Sequence, residues 1–131
     1  MSDVKVVVKP ELSSAISDLC ASNSDISLVN LCTSDGFSIE SMSSATLETE
    51  ADKLAAMSST IGALSGSSAK QILNDEFSIA IVEASSGNML FVSTSYLGVS
   101  CVLTLAAKSK MALATARYKT RELAKLISEI R

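Results

Sequence analysis

At 131 residues and 13.7 kDa the chain has the length of one domain, enough to bury roughly two-thirds of the surface its unfolded form would expose. Its 47% hydrophobic content, 19% charged residues and mean hydropathy of +0.35 exclude a disordered chain. The absence of histidine removes the commonest general base, the triads built on it and most zinc and iron sites. Composition therefore points away from catalysis, towards a binding or scaffolding module. The start, Met1-Ser2-Asp3-Val4-Lys5, has no apolar run ahead of a small-residue cleavage site, and no stretch approaches the ~18 apolar residues that cross a bilayer, so a cytoplasmic protein is expected. The net charge of -3 is unevenly spread: from Lys108 onward seven Lys/Arg face two acids, whereas four lysines face twelve acids before it. An acidic body carries a basic C-terminal helix. With a pI of 4.9 this is not the footprint of a nucleic-acid binder, and cations late in a helix complement its dipole.

In chain order, Val4-Lys5-Val6-Val7-Val8 is β-branched and predicts a short strand or arm over residues 1–9, ahead of a main domain over 10–131. Pro10 stands at the first position of a predicted helix over 10–22, with Leu12, Ile16, Leu19 and Cys20 on one face. Two mostly apolar runs, 26–32 and 37–42, flank Asp35-Gly36, a hairpin signal because glycine takes positive φ without steric cost. After the serine-rich loop 43–46, a second helix is predicted from about 48 to 66 or further, with Glu48, Glu50 and Asp52 in its first turns and Thr46 or Thr49 as cap. It has two non-polar sides. Leu47, Leu54, Met57, Ile61 and Leu64 form a stripe expected to pack on a sheet, and Ala55, Ser59, Gly62 and Gly66 form a small-residue stripe. Two helical glycines cost roughly 1 kcal/mol each relative to alanine, which close approach of a second helix would offset. Strands follow at 77–83, 89–94 and 99–105, separated by Ser85-Ser86-Gly87-Asn88 and Tyr96-Leu97-Gly98; their adjacent apolar positions suggest a sheet covered on both faces. A last helix is predicted from Ser109 to Ile130, with Leu123, Leu126, Ile127 and Ile130 inward and Arg117, Arg121 and Lys125 stacked outside. The expected fold is α/β (α+β), ordered αββαβββα.

No enzyme constellation emerges from these residues. Ser67-Ser68-Ala69-Lys70 matches the S-x-x-K spacing in which lysine activates serine, but serine is so common here that such matches arise by chance, and the companion motifs are missing. The glycines at 62 and 66 do not have phosphate-loop spacing. Glu48, Glu50, Asp52, Asp75 and Glu76 read as helix-start and turn chemistry rather than metal ligands. Cys20, Cys32 and Cys101 are odd in number and flanked by apolar residues, and read as buried thiols. No cofactor or metal is expected.

This succession of elements, with Asp35-Gly36 in the hairpin and Leu54-Ala55-Ala56-Met57 in the second helix, resembles the roadblock (dynein light chain) domain family from about Glu11 to Arg131, and its MglB-type bacterial and archaeal branch most. The chain departs from that pattern in the extra segment Val4 to Val8, in Asp75-Glu76 where many relatives place a glycine, and in Ser109-Lys110-Met111-Ala112 at the start of the last helix. The resemblance implies a roadblock/profilin-like five-stranded, mostly antiparallel sheet with helices on both faces. It also implies a homodimer in which third strands pair across a two-fold axis beside adjacent second helices. The residues agree with this, because the run from Phe77 to Val82 lacks proline, lysine and inward charge, the devices that protect an exposed edge. An isologous interface is therefore expected from Phe77, Ile79, Ala80 and Ile81 with Ala55, Ser59, Gly62 and Gly66.

By resemblance, such a dimer is a non-catalytic regulator or scaffold that binds a Ras-like small GTPase, through an outward surface of the second helices that includes Glu50, Lys53 and Ser58. Every arginine lies at 117 or later, so any stimulation of GTP hydrolysis would proceed without an arginine finger from that helix. Neither nucleic-acid nor membrane contact is expected. The alternative readings are a small-molecule sensor, for which the few aromatics are a poor supply, or a scaffold subunit of a larger complex.

Overall fold

The computed structural model describes residues 6–44 and 50–131. Its elements are α1 (Pro10–Ser22), β1 (Ile26–Thr33), β2 (Ser38–Ser43), α2 (Ala51–Ser68, continued as a π-helical turn over Ala69–Leu73), β3 (Ile79–Ala84), β4 (Gly87–Tyr96), β5 (Val99–Lys108) and α3 (Leu113–Ser128). The order is αββαβββα, and the strands form one antiparallel sheet, β2-β1-β5-β4-β3. β3 and β2 are its edges.

Alternation along the strands separates two layers. On β5, Cys101, Leu103, Leu105 and Ala107 point to the larger core with Val29, Leu31, Leu90 and Val92, closed by Leu12 and Ile16 of α1 and by Ala116, Leu123, Ala124 and Ile127 of α3. Val102 points the other way, with Cys32 and Phe91, against Ala55 of α2. The residues adjacent in sequence are thus apolar on both faces because helices cover both.

Several boundaries differ from expectation, each with a local cause. α3 starts at Leu113 instead of Ser109, since Met111 N–H donates to Lys108 C=O at 3.0 Å and closes a turn there. Leu126, expected inward, is 51% exposed, and small Ala116 and Ala124 hold the helix close to the sheet. β4 and β5 extend beyond the expected runs 89–94 and 99–105 because Gly87, Asn88, Ser95 and Tyr96 of β4 and Ala106 to Lys108 of β5 continue the ladder. Residues 6–8 form no strand; Val4 and Lys5 lie outside the described residues, as do Leu47, Glu48 and the candidate caps Thr46 and Thr49. The Val7 carbonyl instead accepts from the buried Tyr96 hydroxyl at 2.6 Å, and the same hydroxyl accepts from Lys9 N–H at 2.9 Å. Among the described residues no helix is long and apolar enough to cross a membrane.

Candidate interaction surface

α2 crosses the open face of the sheet diagonally. It begins over β1 and β2, where the Cys32 thiol donates to Ala55 C=O at 3.6 Å, passes β5 where the Thr104 hydroxyl bonds Ser58 Oγ at 2.8 Å, and ends near Phe91 of β4 and Ala80 of β3. Small side chains let it approach. Ala55 and Ser58 are fully buried, and a Cβ added to Gly62 would stand 2.9 Å from a Val102 methyl.

Within the protomer the residues of the expected interface take different places. Ala55 lies in the protomer's own core, Gly62 rests on Val102, and Ser59 stands beside Gly36 in the β1–β2 turn. Ala55 and Gly62 therefore serve approach to the chain's own sheet, Ser59 is half-buried beside the hairpin turn, and a Cβ at Gly66 would face open space. Ser58, expected on the outward surface, is buried under the helix with Thr104. The large apolar stripe is correspondingly split: Leu54 is buried and Ile61 partly so, whereas Met57 and Leu64 are 47% and 64% exposed. Glu50 and Lys53 are exposed and lie 3.7 Å apart, a pair that contributes little in water.

The edge beside α2 is β3. Ile79 and Ile81 are half-buried against the α1/α3 core, Ala80 packs beside Phe91, and Val82 is exposed. Phe77 precedes the strand and is half-buried. Among the described residues the outer margin of β3 carries no strand partner, and Ile72 and Leu73, at the π-helical end of α2, are among the most exposed large apolar residues. Helical periodicity gave no sign of these last two, because the π turn shifts their angular position.

No chemical centre competes with this surface. Among the described residues no three Cys, Asp or Glu side chains converge as metal ligands, and Ser67 Oγ accepts from Gln71 Nε2 at 3.1 Å. Burial pushes the Cys32 and Cys101 thiols up to about 11, so neither is poised as a nucleophile. Cys20 is half-buried and its thiol is also raised, by the same cause.

No protein-family profile and no curated protein sequence matches the chain. Solved structures do. MglB of Myxococcus xanthus superposes with a TM-score of 0.78 at 18% identity, covering 92% of this chain and 94% of that one. The gliding protein MglB of Thermus thermophilus gives 0.78 at 11% identity over 98% and 96%. A Roadblock/LC7 domain from Streptomyces avermitilis gives 0.70 at 22% identity over 83% and 88%. The five-stranded antiparallel sheet between α2 on one face and α1 with α3 on the other is therefore the roadblock/LC7 fold, in the form seen in the MglB structures.

Proposed function

We propose that this chain is a non-catalytic, dimeric regulator or scaffold that binds a Ras-like small GTPase. The observation that carries the reading is the apolar surface of Met57, Leu64, Ile72 and Leu73 on the outer side and end of α2, next to the margin of β3, which has no strand partner among the described residues. An unprotected edge recruits a strand, and an apolar ridge on a surface this small marks a contact site. A second copy closes both. Phe77, Ile79, Ala80 and Ile81 would supply the strand pairing, with Gly66 and Ser59 at the flank of α2 and the principal apolar contact made by Met57, Ile61 and Leu64.

The GTPase would then meet the outward end of the paired α2 helices, where Glu50 and Lys53 are exposed. All three arginines lie at 117 or later, and α3 sits across the sheet from α2, so no arginine reaches that surface. Any acceleration of hydrolysis would act by repositioning the GTPase's own groups. The resemblance to MglB-type roadblock proteins supports the same partner class. Pulldown with a Ras-like GTPase in its GTP-analogue and GDP forms tests the reading. Preferential recovery of the GTP-analogue form, weakened by Lys53→Glu, is expected; equal recovery of both forms would overturn switch recognition, and no recovery of either would overturn the GTPase partner.

A further inference from the structure

A second surface feature lies at the β3–β4 end of the sheet, on the face that carries α3. β4 outruns its neighbour: β3–β4 pairing begins at Ile79↔Val92, whereas β4 continues to Tyr96, paired with β5 up to Tyr96↔Val99. Residues 76–78, which would extend β3, leave the ladder and make no backbone hydrogen bond to 93–96 among the described residues. The result is an open groove of about 670 Å³ with Ser93, Thr94 and Ser95 along its floor and the exposed side of α3 as its wall.

That wall is cationic. Arg121 donates through Nη2 to Ser78 Oγ at 2.6 Å, its one hydrogen bond among the described residues; Lys125 lines the same groove, and Arg117 continues the row. None of the three forms an ion pair among the described residues, and of the nearby acids on α3, Glu122 is engaged by the Tyr118 hydroxyl at 3.1 Å. Among the described residues Glu76 is the one carboxylate lining the groove, against two cations. α3 runs alongside β4 in the same direction: the Thr94 hydroxyl donates to Ala124 C=O at 2.8 Å, and Lys9 links the two ends through the Tyr96 hydroxyl and the Arg131 carbonyl.

Backbone edge and charge row are commensurate. Arg121 and Lys125, four residues apart on a helix, are separated by about 6 Å along its axis. Alternate residues of a β-strand stand about 6.7 Å apart on one face. We propose that this groove binds an extended acidic segment of a partner protein, which adds as a strand to Ser93–Tyr96 and presents carboxylates at alternate positions to Arg121 and Lys125. Main-chain bonds would hold the segment and the two cations would select its sequence. Phe77 lines the groove and also belongs to the proposed dimer contact, but Ser93–Ser95, Arg121 and Lys125 do not, so peptide shifts at these residues are read separately from dimerisation and GTPase recovery.

A fluorescein-labelled short peptide alternating glutamate and valine is the probe, followed by anisotropy with the full chain at low salt and by amide NMR shifts. Binding is expected, with shifts concentrated at Ser93–Tyr96 and on the Arg121–Lys125 side of α3. Lys125→Glu, at an exposed position that leaves the core untouched, should weaken it by roughly tenfold, and N-methylating alternate peptide amides should abolish it. The proposal is overturned by a peptide that does not bind, by equal affinity for the N-methylated peptide or for Lys125→Glu, or by anionic phospholipid vesicles or inorganic polyphosphate occupying α3 while the peptide leaves the 93–96 amides unshifted.

Discussion

Two glycines of one helix show how differently identical residues act. Gly62 is held against Val102, whereas a Cβ at Gly66 meets nothing within 4 Å. Gly66→Ala should stabilise the protein by about 0.5–1 kcal/mol in urea denaturation, through helix propensity alone. Gly62→Ala makes the same propensity gain but forces a buried valine to move, and a net loss of roughly 1 kcal/mol is expected. Destabilisation by Gly66→Ala would contradict the open surroundings of that position. The small-residue stripe was legible from spacing, but its direction was not: period 3.6 says which residues share a side, and only the bulk of Val102 and Phe91 beneath α2 decides that the small side turns inward. The thiols make a second residue-scale case. Burial favours neutral Cys32 and Cys101 in the folded state, raising them from 9.0 to about 11. Their contribution is complete below pH 9 and is lost as pH rises towards 11, so between about pH 8 and about pH 10 stability should fall by roughly 1 kcal/mol per thiol. A Cys32→Ala, Cys101→Ala double variant should show a flatter pH dependence, and an unchanged slope would assign the loss to other groups.

Turns govern the elements. The β1–β2 hairpin closes at Asp35-Gly36 as the sequence signals, with Gly36 at φ +99°. The β4–β5 hairpin closes on two residues, Leu97 and Gly98, both at positive φ (50° and 80°), a turn that favours Asn-Gly. Leucine in that conformation is strained by about 1 kcal/mol. Leu97→Asn should therefore raise the melting temperature by a few degrees; a lower value would mean that the half-exposed leucine side chain packs to greater effect than its backbone strains. The turn was legible from Tyr96-Leu97-Gly98, but its tightness was not, because no local rule foresees leucine at positive φ. Strand ends are less legible for a related reason: Ser95 and Tyr96 lie beyond the expected run 89–94 and are held in β4 by pairing with Ser100 and Val99 of β5, a contact between residues of different strands. α3 begins at Leu113 instead of Ser109 because Lys108 to Met111 close a turn.

For the whole molecule, the order of elements and the two-sided sheet followed from punctuation and hydrophobic runs, because each element is delimited locally. Strand order 2-1-5-4-3 is a property of the β1–β5 pairing, which joins residues far apart in the chain and has no local signature. The same holds for the surface. Which apolar residues of α2 stay outside depends on how the helix crosses the strands, and the structure leaves Met57, Leu64 and Val82 uncovered beside one edge. The most direct test is sedimentation equilibrium of the natural chain and of Val82→Lys at micromolar concentration. Closure of that edge by a second copy requires twice the 13.7 kDa mass for the natural chain and a shift towards monomer for the variant, whose new charge blocks the strand margin. A natural chain that sediments as a monomer, or a variant dimer of undiminished strength, would contradict it.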